Sequence, residues 1–265
     1  MKKIRNEKVM NWALVTGASS GIGLRYARAL ARDYHYNIVL VSNQEKELEE
    51  AAKDIQEAYG VDTRTIYANL AEMNAAERVF TFCEQEKLSV EVLVNNAGIL
   101  IFDAFDHASV GKIETLLMLH VVTLTKLCRL FGGQVKYILN MSSMSAWMAV
   151  PTIQVYNASK SYVYAFSKAL WYEYRLKGVH VLTATPGSTD TGLLPFPPTF
   201  GKILKAFGIT MSPEKLVNRV LKVLFTRPRR KRCMPGAWNY IIVPVISHLP
   251  DWLIFSVMKK VPFFR

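Results

Sequence analysis

The sequence predicts an α/β protein, a three-layer doubly wound parallel sheet with helices on both faces. Three observations lead there. Short runs that are apolar on both faces alternate with amphipathic helical stretches from residue 12 to residue 184, as parallel strands under crossover helices do. A glycine-rich turn joins the first apolar run to the first helical stretch. Finally, 265 residues, 51% of them hydrophobic and 20% charged, can bury the core of one large domain. That composition excludes wholesale disorder, and the absence of any run of about 18 apolar residues excludes a multi-pass membrane protein.

Trp12-Ala13-Leu14-Val15 is a short buried strand that stops at Thr16-Gly17. Ile22, Tyr26, Ala29 and Leu30 then recur at helical spacing, with Arg25, Arg28 and Arg32 between them. A strand is expected at Asn37–Ser42, and an amphipathic helix rich in Glu and Lys at Glu45–Tyr59. Strand 63–68, helix 75–87 and strand 90–94 continue the alternation, followed by helix 109–131, strand 135–141, helix 156–177 and strand 179–184. No repeat and no Ser/Gly linker divides the chain, so residues 1–265 read as one domain. After Pro186 the pattern changes. Pro195, Pro197 and Pro198 interrupt segment 188–212, and Ser212-Pro213-Glu214 starts another helix with an N-cap serine and a first-turn proline.

Charge and cysteine content narrow the function classes. Residues 202–265 carry 13 Lys/Arg against Glu214 and Asp251, whereas residues 1–201 carry 20 against 19 acids. The densest point is Arg227-Pro228-Arg229-Arg230-Lys231-Arg232. Such a run suits anionic lipid, a nucleic-acid backbone or plain solvent. Without aromatic stacking platforms a nucleic-acid partner is not expected. Cys83, Cys128 and Cys233 are too few and too scattered for a disulfide framework or a zinc site, so no metal is expected. They fit a reducing compartment. Met1-Lys2-Lys3-Ile4-Arg5 has no apolar stretch after it, which suggests an unprocessed cytoplasmic protein.

Thr16-Gly17-Ala18-Ser19-Ser20-Gly21-Ile22-Gly23 lies between the first strand and the first helix. Glycines permit a tight turn and close backbone approach, and a helix N-terminus favours a pyrophosphate. Further along come Asn95-Asn96-Ala97-Gly98, Ser142-Ser143, Tyr156-Asn157-Ala158-Ser159-Lys160, Pro186-Gly187 and Thr191. In this ordered set, over roughly residues 10–192, the chain resembles the short-chain dehydrogenase/reductase family. The resemblance implies a Rossmann-type fold and NAD(P)(H)-dependent hydride transfer between a nicotinamide and a carbonyl or secondary alcohol. It places the cofactor against Gly17, Ser19, Ser20, Gly21, Ile22 and Gly23, against Ser42, Asn43, Asn69 and Leu70, and against Asn96, Ala97 and Gly98. Tyr156, Lys160, Pro186, Gly187, Thr189 and Thr191 complete that set.

Tyr156 and Lys160, four apart, share one helix face. A free tyrosine, with a pKa near 10, is a poor base at neutral pH, but a neighbouring ammonium favours its phenolate. Tyr156 is thus the expected general acid/base. By resemblance Lys160 also holds the nicotinamide ribose, and Ser143, thirteen residues before Tyr156, hydrogen-bonds the substrate oxygen. Tyr164 and Lys168 repeat the spacing, and spacing alone does not choose. The family context favours Tyr156 and leaves Tyr164 to packing. His120 stands where the family usually has an asparagine that holds a water in a proton relay. A histidine can carry protons there, or it can be a satisfied core residue. The non-enzyme alternative is a catalytically impaired member serving as scaffold or cofactor sensor.

Cofactor choice turns on the end of the second strand, where an acid indicates NAD and a base NADP. Ser42-Asn43 supplies neither, which removes repulsion against a 2′-phosphate and favours NADP(H) over NAD(H). Asn69-Leu70 replaces the family's usual Asp before an apolar residue, against the adenine. By resemblance, segment 188–212 is a lid over the substrate. Its Leu193, Leu194, Phe196, Phe200, Ile203, Leu204 and Phe207 suggest a lipophilic substrate: a sterol, a long-chain keto or sphingoid compound, or an aromatic ketone. Packing on the core is the other reading. The extension 227–265 sets Trp252, Phe255 and Phe263 beside Lys259 and Lys260, as peripheral membrane contact requires. A subunit interface or a roof over the active site would use the same residues. A homodimer or homotetramer is the expected assembly.

Overall fold

Seven parallel strands in the order 3-2-1-4-5-6-7 form the centre of the molecule, in a computed structural model that describes residues 11–148, 151–187, 211–236 and 239–259. They are β1 Trp12–Thr16, β2 Asn37–Ser42, β3 Thr63–Tyr67, β4 Val90–Asn95, β5 Tyr137–Met141, β6 His180–Ala184 and β7 Arg232–Cys233. Between them run α1 Gly21–Tyr34, α2 Glu45–Tyr59, α3 Ala75–Gln85, α4 Val110–Leu117, α5 Leu124–Phe131, α6 Gln154–Arg175 and α7 Pro213–Thr226. The short helices α8 Asn239–Ser247 and α9 Asp251–Met258 follow β7. Strand order reverses between β1 and β4, and the crevice at such a switch point is where α/β sheets bind ligands.

Side chains alternate across each strand, so both faces must be apolar when both are covered. Ala13, Val15, Ile38, Leu40, Val94 and Leu139 face one way, onto Tyr26 and Leu30 of α1, Ile55 of α2 and Leu221 of α7. Leu14, Val39, Val41, Leu93 and Ile138 face the other, onto Val79 of α3, Phe131 of α5 and Val163 of α6. The expected start of α7 is present: the Ser212 side chain accepts from the Lys215 N–H, with Pro213 in the first turn.

Two features differ from the sequence reading. The helix expected over 109–131 contains a π-helical stretch, Met118–Thr123, between α4 and α5. The hydrophobic spacing gives no sign of it, because one wide turn leaves the flanking apolar positions in phase with the core. The basic run is an exposed turn over residues 227–230, and its end, which the sequence did not mark as a strand, enters β7. Arg232 and Cys233 pair with Thr183 and Ala184, and Lys231 lies over the Trp171 and Tyr172 rings. A two-residue strand opening on arginine has no hydropathy signature, and only the neighbouring β6 edge selects it. All three cysteines are buried and free, and no metal-ligand cluster occurs among the described residues.

Phe225 ties α7 to the sheet. Its ring lies 4.3 Å from Tyr34, 4.8 Å from Tyr137 and 6.0 Å from Tyr36. Phe225→Ala should therefore cost about 2 kcal/mol, less than for a fully buried ring because Phe225 is half-buried. A lower urea midpoint at unchanged slope would show it; an unchanged midpoint would mean the cluster contributes nothing.

Candidate active site

A cavity of about 810 Å³ opens at the carboxyl ends of the strands, around the switch point. Its first wall is the glycine turn. Gly17 has φ +65°, and a Cβ there would lie 3.0 Å from the Ala97 Cα, so only glycine fits. The Thr16 hydroxyl accepts from the Asn96 N–H at 2.9 Å and the Ala97 N–H at 3.0 Å, fixing the turn against the loop after β4. Ser20, the N-cap of α1, makes no side-chain cap, and the first turn carries no acid. The free N–H groups of that turn suit an anion. Gly17, Ser19, Ser20, Gly21, Ile22, Asn96, Ala97 and Gly98 line the cavity. Gly23 does not; it lies beneath the turn and lets α1 approach it closely.

Beside the turn the Ser19 hydroxyl is 2.9 Å from the Ser42 hydroxyl and 2.7 Å from the Gln44 side-chain oxygen. Ser42, Asn43, Asn69 and Leu70 line this end. The Asn69 side-chain oxygen accepts from the Ala71 N–H at 3.1 Å, which turns it towards its own loop. Among the described residues no Asp or Glu lines the cavity, and Lys160 is the one ammonium. Arg25 pairs instead with Glu214 on the surface.

At the other end Ser143, Tyr156 and Lys160 come together, with Pro186 and Gly187 beside them. Ser143 caps the 3-10 helix Met144–Trp147 and accepts from the Ser145 N–H at 3.2 Å. Its own proton is thereby left to point at Tyr156 or at a substrate oxygen. Burial raises the Tyr156 phenol above its usual pKa, while the hydrogen bond with Ser143 pulls it down. Lys160 donates to the Met141 carbonyl at 2.9 Å, lies 5.5 Å from the Tyr156 ring centre, and is pushed down to about 8 by burial. Tyr164 is absent from the cavity lining and packs edge-on against Trp147 at 4.7 Å.

His120, 1% exposed, also reaches the cavity. Its Nε2 accepts from the Ile99 N–H at 3.1 Å, and its Nδ1 lies 2.9 Å from the Ser159 hydroxyl. Burial, and secondarily the charge of Lys160, hold the ring well below the usual histidine pKa.

These residues have the order and arrangement of a known family. The short chain dehydrogenase family model matches residues 11–196. The chain belongs to the short-chain dehydrogenase family. A human very-long-chain 3-oxoacyl-CoA reductase is 31% identical over 260 residues, covering 94% of this chain and 78% of that one. A solved 7β-hydroxysteroid dehydrogenase superposes with a TM-score of 0.81 at 26% identity, covering 96% of this chain and 98% of that one. A short-chain dehydrogenase from Sphingobium yanoikuyae in complex with NADPH gives a TM-score of 0.74 at 24% identity, covering 95% and 96%, a likeness of fold. This short-chain dehydrogenase is an NAD(P)-dependent oxidoreductase with a nicotinamide-binding fold.

The C-terminal segment contributes a residue that the sequence reading missed. Asn239, 2% exposed, opens α8 and donates to the Pro235 carbonyl. A Cβ on Gly187 would lie 2.6 Å from the Asn239 side-chain nitrogen. No motif marks Asn239; only the fold brings it to Gly187. Thr189, Thr191 and almost all of the expected lid, residues 188–210, lie outside the described residues, as do Lys260 and Phe263. Trp252 and Phe255 are exposed on α9, and no described helix is long and apolar enough to cross a membrane.

Contact with Asn239 makes Gly187 a sensitive position. Gly187→Ala should lower NADPH-dependent turnover roughly tenfold, as misplacement in an active site does. In an Asn239→Ala background the added methyl finds room and should cost far less. Equal losses in both backgrounds would refute the contact.

Proposed function

We propose that this short-chain dehydrogenase reduces lipophilic ketones with NADPH, and oxidises the corresponding secondary alcohols in reverse, with Tyr156 as general acid/base. The observation that carries the reading is the convergence of Ser143, Tyr156 and Lys160 at one end of a cavity that no carboxylate lines among the described residues. The residues fit the cofactor: the uncapped N-terminus of α1 would hold its diphosphate, and Ser19, Ser42 and Gln44 would offer a 2′-phosphate hydrogen bonds without negative charge. When bound, the reduced nicotinamide supplies a hydride to the carbonyl carbon.

Ser143, which accepts from the Ser145 N–H, donates its proton to the carbonyl oxygen and orients it. Tyr156, kept protonated by burial, gives its phenolic proton to that oxygen as the C=O π bond opens, leaving a secondary alcohol and a phenolate. The Lys160 ammonium stabilises the phenolate until a proton from solvent restores it. Ile99, Leu100, Leu119, Met144, Met148 and Ile153 give the cavity an apolar side that suits a long-chain or steroidal ketone. The names of the human reductase and the solved 7β-hydroxysteroid dehydrogenase support that class.

Two tests follow from this assignment. Tyr156→Phe should abolish reduction of a long-chain 3-oxoacyl-CoA or a ketosteroid by NADPH, leaving NADPH affinity within a few-fold. Retained turnover would overturn the acid assignment. In the wild type, kcat/KM for reduction should be level below pH 8 and fall above it, because Lys160 loses its proton near about 8. A rate that keeps rising through that range contradicts it.

The cofactor reading is tested separately. Ser42→Asp should shift preference towards NADH, since a carboxylate repels a 2′-phosphate but accepts from a 2′-hydroxyl. If the unaltered protein binds NADH more tightly than NADPH in a fluorescence titration, the NADP(H) preference is wrong.

A further inference from the structure

We propose that His120 is a positioning residue, a neutral ring that bridges the loop after β4 to the helix bearing Tyr156 and so fixes the height of the phenol in the cavity. The inference rests on Tyr156 being the general acid. The donors fix the hydrogen-bond directions along the bridge. The Ile99 N–H can only donate, so Nε2 must keep its lone pair, and the ring proton of a neutral imidazole then sits on Nδ1. Nδ1–H donates to the Ser159 hydroxyl at 2.9 Å, and that hydroxyl donates to the Tyr156 carbonyl at 2.7 Å. Each ring nitrogen is used once, and the Ser159 hydroxyl both accepts and donates.

This leaves His120 no vacant site for a travelling proton. Protonating Nε2 would break its bond with the Ile99 N–H, within reach of the Lys160 ammonium, the charged group that acts on the ring. Other neighbours hold the ring in place. A Cβ on Gly98 would lie 2.7 Å from Nε2, so the backbone of the loop rests on the imidazole. The Tyr156 ring meets it edge-on, centroids 5.7 Å apart. The π-helical turn Met118–Thr123 carries His120 at this contact, as such turns often do at functional sites. Ala97 and Gly98 line the cofactor side of the cavity, and Tyr156 lines the reacting end. The bridge therefore sets one relative to the other.

The test uses the full chain, with 15N NMR of histidine-labelled protein and kinetics with NADPH and a long-chain 3-oxoacyl-CoA. His120 should give the signature of an Nδ1-protonated ring, unchanged between about pH 5.5 and 8.5, a range in which an unperturbed histidine titrates. His120→Ala and Ser159→Ala should each lower kcat roughly tenfold, with KM for NADPH within about threefold. Because both remove the same bridge, the double variant should match the worse single one. Ser159→Ala, which deletes one hydroxyl, keeps the test open should His120→Ala fail to fold. A ring that titrates near neutrality, full kcat in Ser159→Ala, or losses that multiply would overturn the bridge. Tyr156→Phe separates the two levels. If it is inactive while Ser159→Ala keeps full kcat, the losses multiply or the ring titrates near neutrality, only this inference falls; if it keeps wild-type turnover, the acid assignment falls and takes the inference with it.

Discussion

At the switch point β1 and β4 lie side by side while their chains leave towards opposite faces, and the Thr16 hydroxyl joins the two loops that diverge there. It accepts from the Asn96 and Ala97 N–H groups, while the Asn96 side chain donates back to the Thr16 carbonyl at 3.1 Å. Buried N–H groups without a partner would cost about 1–3 kcal/mol each, so this small cluster offsets a penalty that the crevice itself creates. The rest of the site is referred to it in sequence. Gly17 rests on Ala97, Gly98 rests on His120, and His120 connects through Ser159 to the backbone of Tyr156.

Below the cavity floor a second polar group stiffens the sheet. Asn95 donates to the Asn140 side-chain oxygen at 2.8 Å, and Asn140 donates to Ser167 at 2.9 Å. This line runs from β4 through β5 to α6, the helix that carries Tyr156 and Lys160. Lys160 itself is a buried ammonium anchored on the Met141 carbonyl, at the end of β5. Burial without a carboxylate partner lowers its proton affinity.

Residues 230–233, at the start of the C-terminal segment, are bound into the fold. β7 extends the sheet along β6, and the Thr185 N–H donates to the Cys233 carbonyl at 2.8 Å. His180 places one ring nitrogen 2.8 Å from the Leu224 carbonyl and the other 2.7 Å from the Arg230 carbonyl, holding α7 and the basic run to the same edge. Arg232 lies over the Trp147 ring, and Lys231 over Trp171 and Tyr172. Cations stacked on aromatic faces in this way gain about 0.5–1 kcal/mol each at exposed sites. α8 then packs by the 3-10 helix that Ser143 caps. Lys231 and Arg232, the end of the basic run, thus lie at the sheet edge in the fold.

The sequence by itself determined the strand and helix order and the two-sided core, and it set Tyr156 and Lys160 on one helix. β2 and α2 occupy the expected residues, and Tyr156 and Lys160 share a helix face because a helix repeats every 3.6 residues. Such features are local: periodicity, glycine turns and short-range spacing are written in consecutive residues. What only the tertiary structure decided depends on partners distant in the chain. Tyr164 has the same spacing to Lys168 as Tyr156 has to Lys160, and the packing of Trp147 places it away from the cavity. β7 exists because β6 offers an unpaired edge, and Asn239 meets Gly187 because that strand returns the chain to the cavity. The tautomer of His120 follows from a donor 21 residues earlier and a hydroxyl 39 residues later. A hydrogen bond's direction is set by both its partners, and the fold alone brings these together.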